Sequence, residues 1–331
     1  MNKLLFSVIC IVTTLTMVSC GGKQDGPAGE VLSKKTFSKV SIKYESVGDF
    51  YGGVAVVSTD WNKHGIINTK GEEIVACNYR LITPCVDGML FFNDNNKYGF
   101  MNTSGKIVVE AGKYENVKDF SCGLAAVEKD DKWGFINKKG EEVIPFSFEA
   151  VGSFADNLAV VRVNRKYGYI DLKGNFVIEP SFDNAEEFSC GVAVTSKGEN
   201  DYVIDKKGNI VYTADKKTIL LDDWFESNMI PVLKEEGRSY VSGYINTKGE
   251  IAIPFEYQFT SSFEDGTALV MKDYKVYNIN TKGEMLGEVK SPSIIEEFVE
   301  NADYFFEFST SVLEKLLDVT FDDDDDDDDE W

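Results

Sequence analysis

Seven Asn or Asp residues each stand three positions before a glycine in this 331-residue chain. Their side-chain oxygens could bind a cation or take part in proton transfer. The seven pairs are Asn68/Gly71, Asn102/Gly105, Asn137/Gly140, Asp171/Gly174, Asp205/Gly208, Asn246/Gly249 and Asn280/Gly283. The same residue types also suit a type I turn with a bulge, because Asn or Asp bonds the backbone ahead and glycine accepts a positive φ. Since one active site does not need seven copies, the spacing predicts structural turn residues.

Other chemistry is sparse in the sequence. The single histidine, His64, stands where other units have Trp or Tyr, which favours a packing position. No GxSxG, HExxH, GxxxxGK or strand-following GxGxxG is present. Asp222, Asp223 and Glu226 lie in the most irregular unit, and two carboxylates there could serve a glycan-acting hydrolase, which stays open as an alternative. We expect no enzymatic activity, no metal site and no cofactor.

The cysteines give no metal or redox spacing. Cys10 and Cys20 belong to the N-terminal segment, and Cys77, Cys85, Cys122 and Cys190 lie in the body without any CxxC pattern. We favour small buried or turn residues for these four. A bridge between Cys77 and Cys85 stays open, because an oxidising compartment would permit it.

The first 20 residues have the pattern of a secretory signal. Lys3 precedes an apolar stretch at 4–18, which is followed by Ser19 and Cys20. The stretch is shorter than the roughly 20 residues that a membrane-spanning helix needs. It resembles a bacterial lipoprotein signal, whose last cysteine is acylated; an ordinary cysteine after a standard cleavage site is the alternative.

The resemblance implies a signal peptide at residues 1–19 and lipidation at Cys20. Residues 20–36 are glycine-rich and polar, as in a flexible tether. The expected location is the bacterial cell envelope with a lipid anchor. The outer membrane is favoured because no aspartate follows Cys20.

The charge excludes some partners. The net charge is −22, and nine negative charges lie in the run 322–330. An acidic surface repels phosphate backbones and anionic lipid heads, so nucleic-acid binding is not expected. Residues 322–331 are predicted to be a disordered acidic tail, because such a run cannot bury apolar surface.

A repeat must position all of these residues. The turn glycines are spaced by 34, 35, 34, 34, 41 and 34 residues, so seven units fill residues 37–290. Around the turn at Asn137, the runs 133–137 and 142–145 have β-type composition, and another run lies at 124–127. Each unit is predicted to be an antiparallel meander of three strands, or of four if 114–120 also pairs. The fold class is all-β, and the sequence does not decide between a propeller-like ring and an open superhelical array.

The aromatic residues of the repeat are the candidate binding surface. Tyr98, Trp133 and Tyr167 occupy the same position in three consecutive units. Such stripes are more often core than ligand platform, because a lone small sheet must bury one face. The glycine after each aromatic, for example Gly134, leaves room for a neighbouring backbone or ring.

The phrase [WY]-G-[FY]-I-[ND]-x-x-G, followed by F-x-x-G-x-A-x-V, resembles the WG-repeat family of bacterial proteins. Tyr98-Gly99, Trp133-Gly134 and Tyr167-Gly168 match best, whereas Tyr202 replaces the glycine. The resemblance implies a β-repeat architecture and an envelope or surface setting, with no enzymatic residues. We therefore expect a lipid-anchored binding or scaffold module for an unknown protein or glycan, with a hydrolase or a purely structural spacer as alternatives.

Residues 291–321 break the repeat pattern. Pro292 precedes a capping-box spacing from Ser293 to Glu296, and apolar residues follow at helical intervals. These apolar positions are Ile294, Ile295, Phe298, Val299, Ala302, Phe305 and Phe306, then Val312, Leu313, Leu316 and Leu317. The segment is predicted to be a short helical cap on the last unit.

Overall fold

The computed structural model describes residues 43–237, 239–295 and 298. It contains seven four-stranded antiparallel sheets, and each sheet is one repeat unit. In every sheet the strands are hydrogen-bonded in chain order, so each unit is a simple meander. The prediction of an all-β chain of seven antiparallel meanders is thus confirmed.

The strand bounds follow the repeat. Units 1 to 3 comprise β1 (Ser46–Tyr51), β2 (Val54–Asp60), β3 (Lys63–Asn68), β4 (Glu73–Tyr79); β5 (Leu81–Ile82), β6 (Met89–Asp94), β7 (Lys97–Asn102), β8 (Ile107–Val109); β9 (Val117–Ser121), β10 (Leu124–Lys129), β11 (Lys132–Asn137), β12 (Glu142–Phe148). Units 4 and 5 comprise β13 (Ala150–Ala155), β14 (Leu158–Val163), β15 (Lys166–Asp171), β16 (Phe176–Phe182); β17 (Asn184–Ala185), β18 (Val192–Lys197), β19 (Asn200–Asp205), β20 (Ile210–Ala214). Units 6 and 7 comprise β21 (Thr218–Leu220), β22 (Met229–Glu236), β23 (Ser239–Asn246), β24 (Ile251–Tyr257); β25 (Phe259–Thr260), β26 (Thr267–Lys272), β27 (Lys275–Asn280), β28 (Met285–Glu288).

The first strand of each unit is the strand whose presence the sequence did not decide. In unit 3, β9 pairs with β10 through Phe120 opposite Ala125. The strand is interrupted by a bulge and shortens to two residues in units 2, 5 and 7. Its weak period-two pattern explains why the sequence alone did not settle whether a unit has three strands or four.

A glycine in the third strand lets the fourth strand come close. In unit 4, a Cβ built on Gly168 would lie 2.5 Å from the carbonyl oxygen of Ile178, which no side chain could tolerate. The pairing of β15 with β16 shifts register at this glycine. In unit 5, Tyr202 takes the position of this glycine and pairs with Thr213. The register of β19 and β20 stays regular from Asp201 to Val203, so no shift occurs at this position.

Consecutive units share their hydrophobic cores. Alternation along β11 sends Phe135 into the core with unit 4 and Ile136 into the core with unit 2. Each unit therefore contributes both faces of its sheet to burial, which explains why repetition stabilises the chain. Four inter-unit ring pairs recur at the same place, with centroids 4.7 to 4.9 Å apart: Phe100–Phe120, Phe135–Phe154, Tyr169–Phe188 and Tyr244–Phe263. Such pairs contribute about 0.5–1.5 kcal/mol each beyond the area they bury.

The two terminal faces have separate cores. Tyr44 packs on Ala55, Val57 and Ile67 of unit 1. On unit 7, Phe259, Met271 and Val276 pack against two residues that follow the last strand, Ile295 and Phe298. Residues 292–295 and 298 are helical. Among the described residues, no hydrophobic cluster joins unit 1 to unit 7, and the cores connect the units as a linear series.

Candidate functional site

The Asn/Asp side chains are engaged by their own turns. In unit 3, the amide N–H of Gly140 donates to the carbonyl oxygen of Asn137 at 2.8 Å. Asn137 Oδ1 accepts from the backbone N–H groups of Lys139 at 2.9 Å and Glu141 at 3.1 Å. The two side-chain bonds recur at Asn68, Asn102, Asp171, Asp205, Asn246 and Asn280. Each of these oxygens therefore holds backbone rather than a ligand.

The glycines that close these turns have a left-handed backbone. In unit 1, Gly71 has a φ of +77°, and its amide N–H donates to the carbonyl oxygen of Asn68 at 2.9 Å. The same conformation and the same backbone bond recur at Gly105, Gly140, Gly174, Gly208, Gly249 and Gly283. A side chain at such a φ is strained, so the turn itself requires glycine. Gly71 therefore lies in a structural turn and offers no side chain to a binding site.

In six of the seven units, the residue after the turn glycine is matched to the Asn or Asp, whereas in unit 2 Lys106 follows Gly105. Where the turn begins with Asn, as at Asn137, its Nδ2 donates to a glutamate four residues on, here Glu141 at 2.8 Å. Where it begins with Asp, as at Asp171, an asparagine donates instead, here Asn175 at 3.0 Å. The first kind recurs at Asn68, Asn246 and Asn280, and the second at Asp205. The hydrogen bond from Asn175, together with backbone N–H groups, holds the pKa of Asp171 below its usual value.

The candidate binding residues lie at equivalent places in three consecutive units. Tyr98, Trp133 and Tyr167 are each the second residue of a third strand and are half-buried. Trp133 packs against the core shared by units 3 and 4. The Tyr98 ring lies 5.4 Å from that of Phe91, and the Arg162 guanidinium lies 5.9 Å from the Tyr167 ring centroid. Each ring therefore has one side in protein contact and part of its surface in solvent.

The row of aromatics is confined to units 2 to 4. The equivalent positions hold His64 in unit 1, Asp201 in unit 5, Ser242 in unit 6 and Val276 in unit 7. His64 Nδ1 donates to the carbonyl oxygen of Arg80 at 3.0 Å. Ser242 and Val276 are buried. We call Tyr98, Trp133 and Tyr167 the aromatic row.

A second candidate centres on the irregular unit 6. Ser262 Oγ of unit 7 donates to Asp222 Oδ2, and burial raises the pKa of Asp222. Burial, followed by the nearby charges of Glu264 and Asp265, raises the pKa of Glu226. The carboxylates that the sequence placed in one irregular unit thus meet carboxylates of the next unit.

Unit 5 adds further acids. Burial and the charge of Asp223 raise the pKa of Glu186, and the same two causes raise that of Asp201. We call the seven residues the acidic group: Glu186, Asp201, Asp222, Asp223, Glu226, Glu264 and Asp265. Sequence reasoning missed the members outside unit 6. Asp201 could have been found, because it replaces the aromatic residue of the repeat phrase.

Burial raises the pKa of four members of this group, Glu186, Asp201, Asp222 and Glu226, so these four hold protons more tightly than exposed acids do. Protonated and ionised carboxyls side by side are the elements of general acid–base catalysis. Across the described part of the chain, no three His, Cys, Asp or Glu residues could hold a metal ion together.

One cleft of about 380 Å³ is lined by Leu286, Val289 and Ile294 among others, and none of its lining residues except Glu288 is acidic. Glu288 does not belong to the acidic group.

The thiols of Cys77, Cys85 and Cys190 are free. The Cys77–Cys85 bridge that the sequence left open is therefore not formed. Burial raises the pKa of each of the three thiols, which lowers the reactive thiolate fraction. The partly buried positions of these three thiols are those of residues that pack between strands.

Several predictions fall outside the described residues. These are the signal at 1–19, the lipidated Cys20, the tether at 20–36, most of the cap after Phe298 and the tail at 322–331. Within the residues that the structure does describe, no helix has the length and apolar character to cross a membrane.

Comparison with known proteins gives one family match. The model of the WG containing repeat matches residues 65–98, 98–133, 133–167, 167–200 and 243–275, about half of the chain. The aromatic row lies at the ends of these matched segments, at residues 98, 133 and 167. No curated protein sequence matches the chain.

Three solved structures are similar to this chain, each with a low score. Hsv2p of Kluyveromyces lactis is 11% identical over 69% of this chain and 89% of that chain, with a TM-score of 0.41. A eukaryotic initiation factor is 10% identical over 72% and 85%, with a TM-score of 0.35. PorZ, a bacterial surface component of the type-IX secretion system of Porphyromonas gingivalis, is 8% identical over 74% and 38%, with a TM-score of 0.30. These scores support no inference about function.

Proposed function

Because this chain belongs to the WG containing repeat family, we propose that it is a non-enzymatic binding module, anchored by lipid at Cys20 in the bacterial cell envelope. Its seven units form a scaffold whose shared cores fix each unit relative to the next. The ligand is a glycan or a protein that contacts several units at once. An extended repeat surface suits such multi-point contact.

The observation that carries the proposal is the aromatic row. Three rings occupy one position in three consecutive units, and each is half-buried. Partial burial fixes the orientation of a ring before a ligand arrives, so less side-chain entropy is lost on binding. An amphipathic ring with a fixed face can contact the apolar face of a sugar or a side chain of a protein partner.

Binding is tested with the full-length protein on an array of bacterial and host polysaccharides, and by cross-linking on intact cells. We expect the variant Tyr98→Ala/Trp133→Ala/Tyr167→Ala to lose at least about tenfold in affinity, as for a hot-spot cluster. Trp61→Ala is the matched control, since Trp61 lies outside the row, is 78% exposed and is expected to leave binding unchanged. Equal binding by the triple variant and the wild type would refute the role of the row.

A glycan-acting hydrolase is the second candidate function. The observation in its favour is that Asp222 and Glu226 both have raised pKa values and share acidic neighbours. If any bound polysaccharide releases reducing ends, and Glu226→Gln abolishes the release without weakening binding, this candidate replaces the binding module. A protein that neither binds nor cleaves any probe would fit the third alternative, a structural spacer.

The envelope location rests on the N-terminal sequence. Met17-Val18-Ser19-Cys20 ends an apolar stretch, as in lipoprotein signals. We expect Cys20→Ala to abolish incorporation of labelled palmitate and to release the protein from membranes, with Cys190→Ala as the control. Membrane retention of Cys20→Ala would contradict a lipid anchor at this residue.

A further inference from the structure

Each ring of the aromatic row has a hydrogen-bonding side chain directly beside it. Residues that pair across antiparallel strands point to the same face of the sheet. The three pairs are Tyr98 with Asn93, Trp133 with Glu128 and Tyr167 with Arg162. Like the rings, the three polar residues are half-buried. We call Asn93, Glu128 and Arg162 the polar row.

The combination of a ring with an accessible polar neighbour is confined to units 2 to 4 among the seven described units. In unit 1, Ser58 lies opposite His64 but is buried. In unit 5, Ser196 takes the position of the polar row, but the residue opposite is not aromatic. In units 6 and 7, Leu233 and Met271 take this position and are buried.

Partners within the protein hold the first two polar side chains in place. Asn93 Oδ1 accepts from the amide N–H of Asn96 at 3.0 Å, and its Nδ2 donors bond to no described residue. Glu128 Oε2 accepts from Asn116 Nδ2, and its second carboxylate oxygen bonds to no described residue. Each side chain is therefore fixed by one atom and keeps the other for a ligand.

Arg162 is held in the same way. Its Nε donates to Glu149 Oε2 at 3.1 Å, and its guanidinium lies 5.9 Å from the centroid of the Tyr167 ring. The same Glu149 oxygen accepts from the amide N–H of Arg165 at 3.2 Å, which fixes the carboxylate. The side chain of Arg162 remains 38% exposed. Because a guanidinium carries five N–H donors, several stay available beside the ring.

This arrangement fits a sugar better than a protein side chain. The centre of a protein interface is depleted of charged residues, and its aromatic anchors are surrounded by other desolvating contacts. Here each ring has a polar planar group as its neighbour. A sugar has an apolar C–H face that stacks on an aromatic ring and hydroxyl groups at its rim that both donate and accept. Amide, carboxylate and guanidinium groups supply the matching acceptors and donors.

The spacing of the units favours a chain of sugars over a single one. Consecutive packed sheets lie about 10 Å apart, so the outer rings of the row, Tyr98 and Tyr167, are separated by about 20 Å. A disaccharide is too short to reach both. Linked contacts raise affinity well above that of one contact, because each later contact forms at a high effective concentration.

We propose that the aromatic row and the polar row together bind a carbohydrate chain, with sugars stacked on the rings and their hydroxyls bonded to Asn93, Glu128 and Arg162. The proposal rests on the binding function proposed above and narrows its ligand to a glycan. It also makes the three polar residues determinants of which glycan binds.

Calorimetric titration of the full-length protein tests the chain length. The probes are the disaccharide and the octasaccharide of a β-glucan, of chitin and of a galacturonan. We expect one of these octasaccharides to bind at least about tenfold more tightly than its disaccharide. Tyr98→Ala/Tyr167→Ala, which keeps only the central ring, should lose this difference. If no fragment binds while cross-linking captures an envelope protein, the glycan proposal is overturned and the binding module stands; if nothing binds at all, both fail.

A variant that keeps the contacts within the protein tests the polar row. Asn93→Asp retains the acceptor for Asn96 and removes the Nδ2 donors, and Arg162→Lys retains the charge beside Glu149 and removes the planar fork. The double variant should bind the octasaccharide at least about tenfold more weakly, with thermal unfolding near that of the wild type.

Ser196→Ala is the matched control for the double variant, because Ser196 takes the same second-strand position in unit 5 without a ring opposite. It should leave binding of the octasaccharide unchanged. Wild-type affinity in the double variant, together with lost binding in Tyr98→Ala/Trp133→Ala/Tyr167→Ala, would show that the rings bind without the polar row and would overturn the proposal for these three residues.

Discussion

Gly174 of unit 4 lies against Ile144 of unit 3. A Cβ built on this glycine would be 3.1 Å from Ile144 Cγ2, and its φ is +85°. The turn glycine thus has two roles, the left-handed turn conformation and the close approach of the preceding unit. Similar close approaches to the preceding unit occur at Gly105, Gly140, Gly208, Gly249 and Gly283.

Gly174→Ala should destabilise the protein more than Gly191→Ala. Gly191 has the nearly identical φ of +86°, but a Cβ on it would meet nothing within 4 Å. Both substitutions carry the left-handed backbone cost of about 1–2 kcal/mol, and only Gly174→Ala adds a contact with Ile144. Urea unfolding should show an extra loss of about 1 kcal/mol for Gly174→Ala. Equal losses of unfolding free energy in the two variants would mean that Ile144 moves aside without an energetic cost.

Asn137→Asp should destabilise unit 3, and a second change should restore it. The substitution replaces the Asn137 to Glu141 hydrogen bond with two facing carboxylates. Adding Glu141→Asn recreates the Asp/Asn pair that Asp171 and Asn175 form in unit 4. A double-mutant cycle should give a favourable coupling of about 0.5–1.5 kcal/mol at neutral pH, because these are exposed turn groups. Additive effects of the two substitutions would show that the pairing of residue types is incidental.

Asp119→Asn should stabilise the protein at neutral pH. Burial raises the pKa of Asp119 above its unfolded value of about 4. The folded state then holds its proton more tightly, so this group lowers stability as pH rises from the unfolded pKa through the folded one. The gain in Tm for Asp119→Asn should therefore be larger at pH 7 than at pH 4.

Asp171→Asn provides the control with the opposite sign. Hydrogen bonds from Asn175 and the backbone lower the pKa of Asp171. The ionised carboxylate therefore stabilises the folded state above the unfolded pKa, and this stabilisation is lost as pH falls through the folded pKa. The Tm of this variant should fall below that of the wild type at pH 7, and the difference should shrink on acidification. If both variants shifted Tm in the same direction at every pH, the opposite pKa shifts assigned to Asp119 and Asp171 would be wrong.

Local features were predictable from the sequence, and contacts between units were not. Asn137 and Gly140 form their turn within four residues, so residue type and spacing were sufficient. The contact of Gly174 with Ile144 joins residues 30 positions apart, and no local pattern encodes it. The effect of the Asp223 charge on Glu186 and Asp201 could not be predicted from the sequence either, because Asp223 of unit 6 comes near these unit 5 residues only in the folded chain. The short first strands were left open because two-residue strands carry too little alternation to be recognised.

Asp156→Ala should destabilise the joint between units 4 and 5. Asp156 Oδ2 accepts from the amide N–H of Gly191 at 2.7 Å, and Lys206 Nζ donates to the Asp156 carbonyl oxygen at 2.8 Å. Loss of the carboxylate leaves the Gly191 amide without this partner, which typically costs about 1–3 kcal/mol.

Asp265→Ala is the matched control for this joint. Asp265 takes the same turn position with the same left-handed backbone in unit 7, and no eighth unit follows it among the described residues. The free energy of unfolding should not fall by more than about 0.5 kcal/mol for Asp265→Ala, because the substitution removes no bond to a following unit and also removes a like charge near Glu226. Urea unfolding of both variants measures the difference. A large loss in the control would indicate that the aspartate stabilises its own turn, and the carboxylate would then have no special role between units.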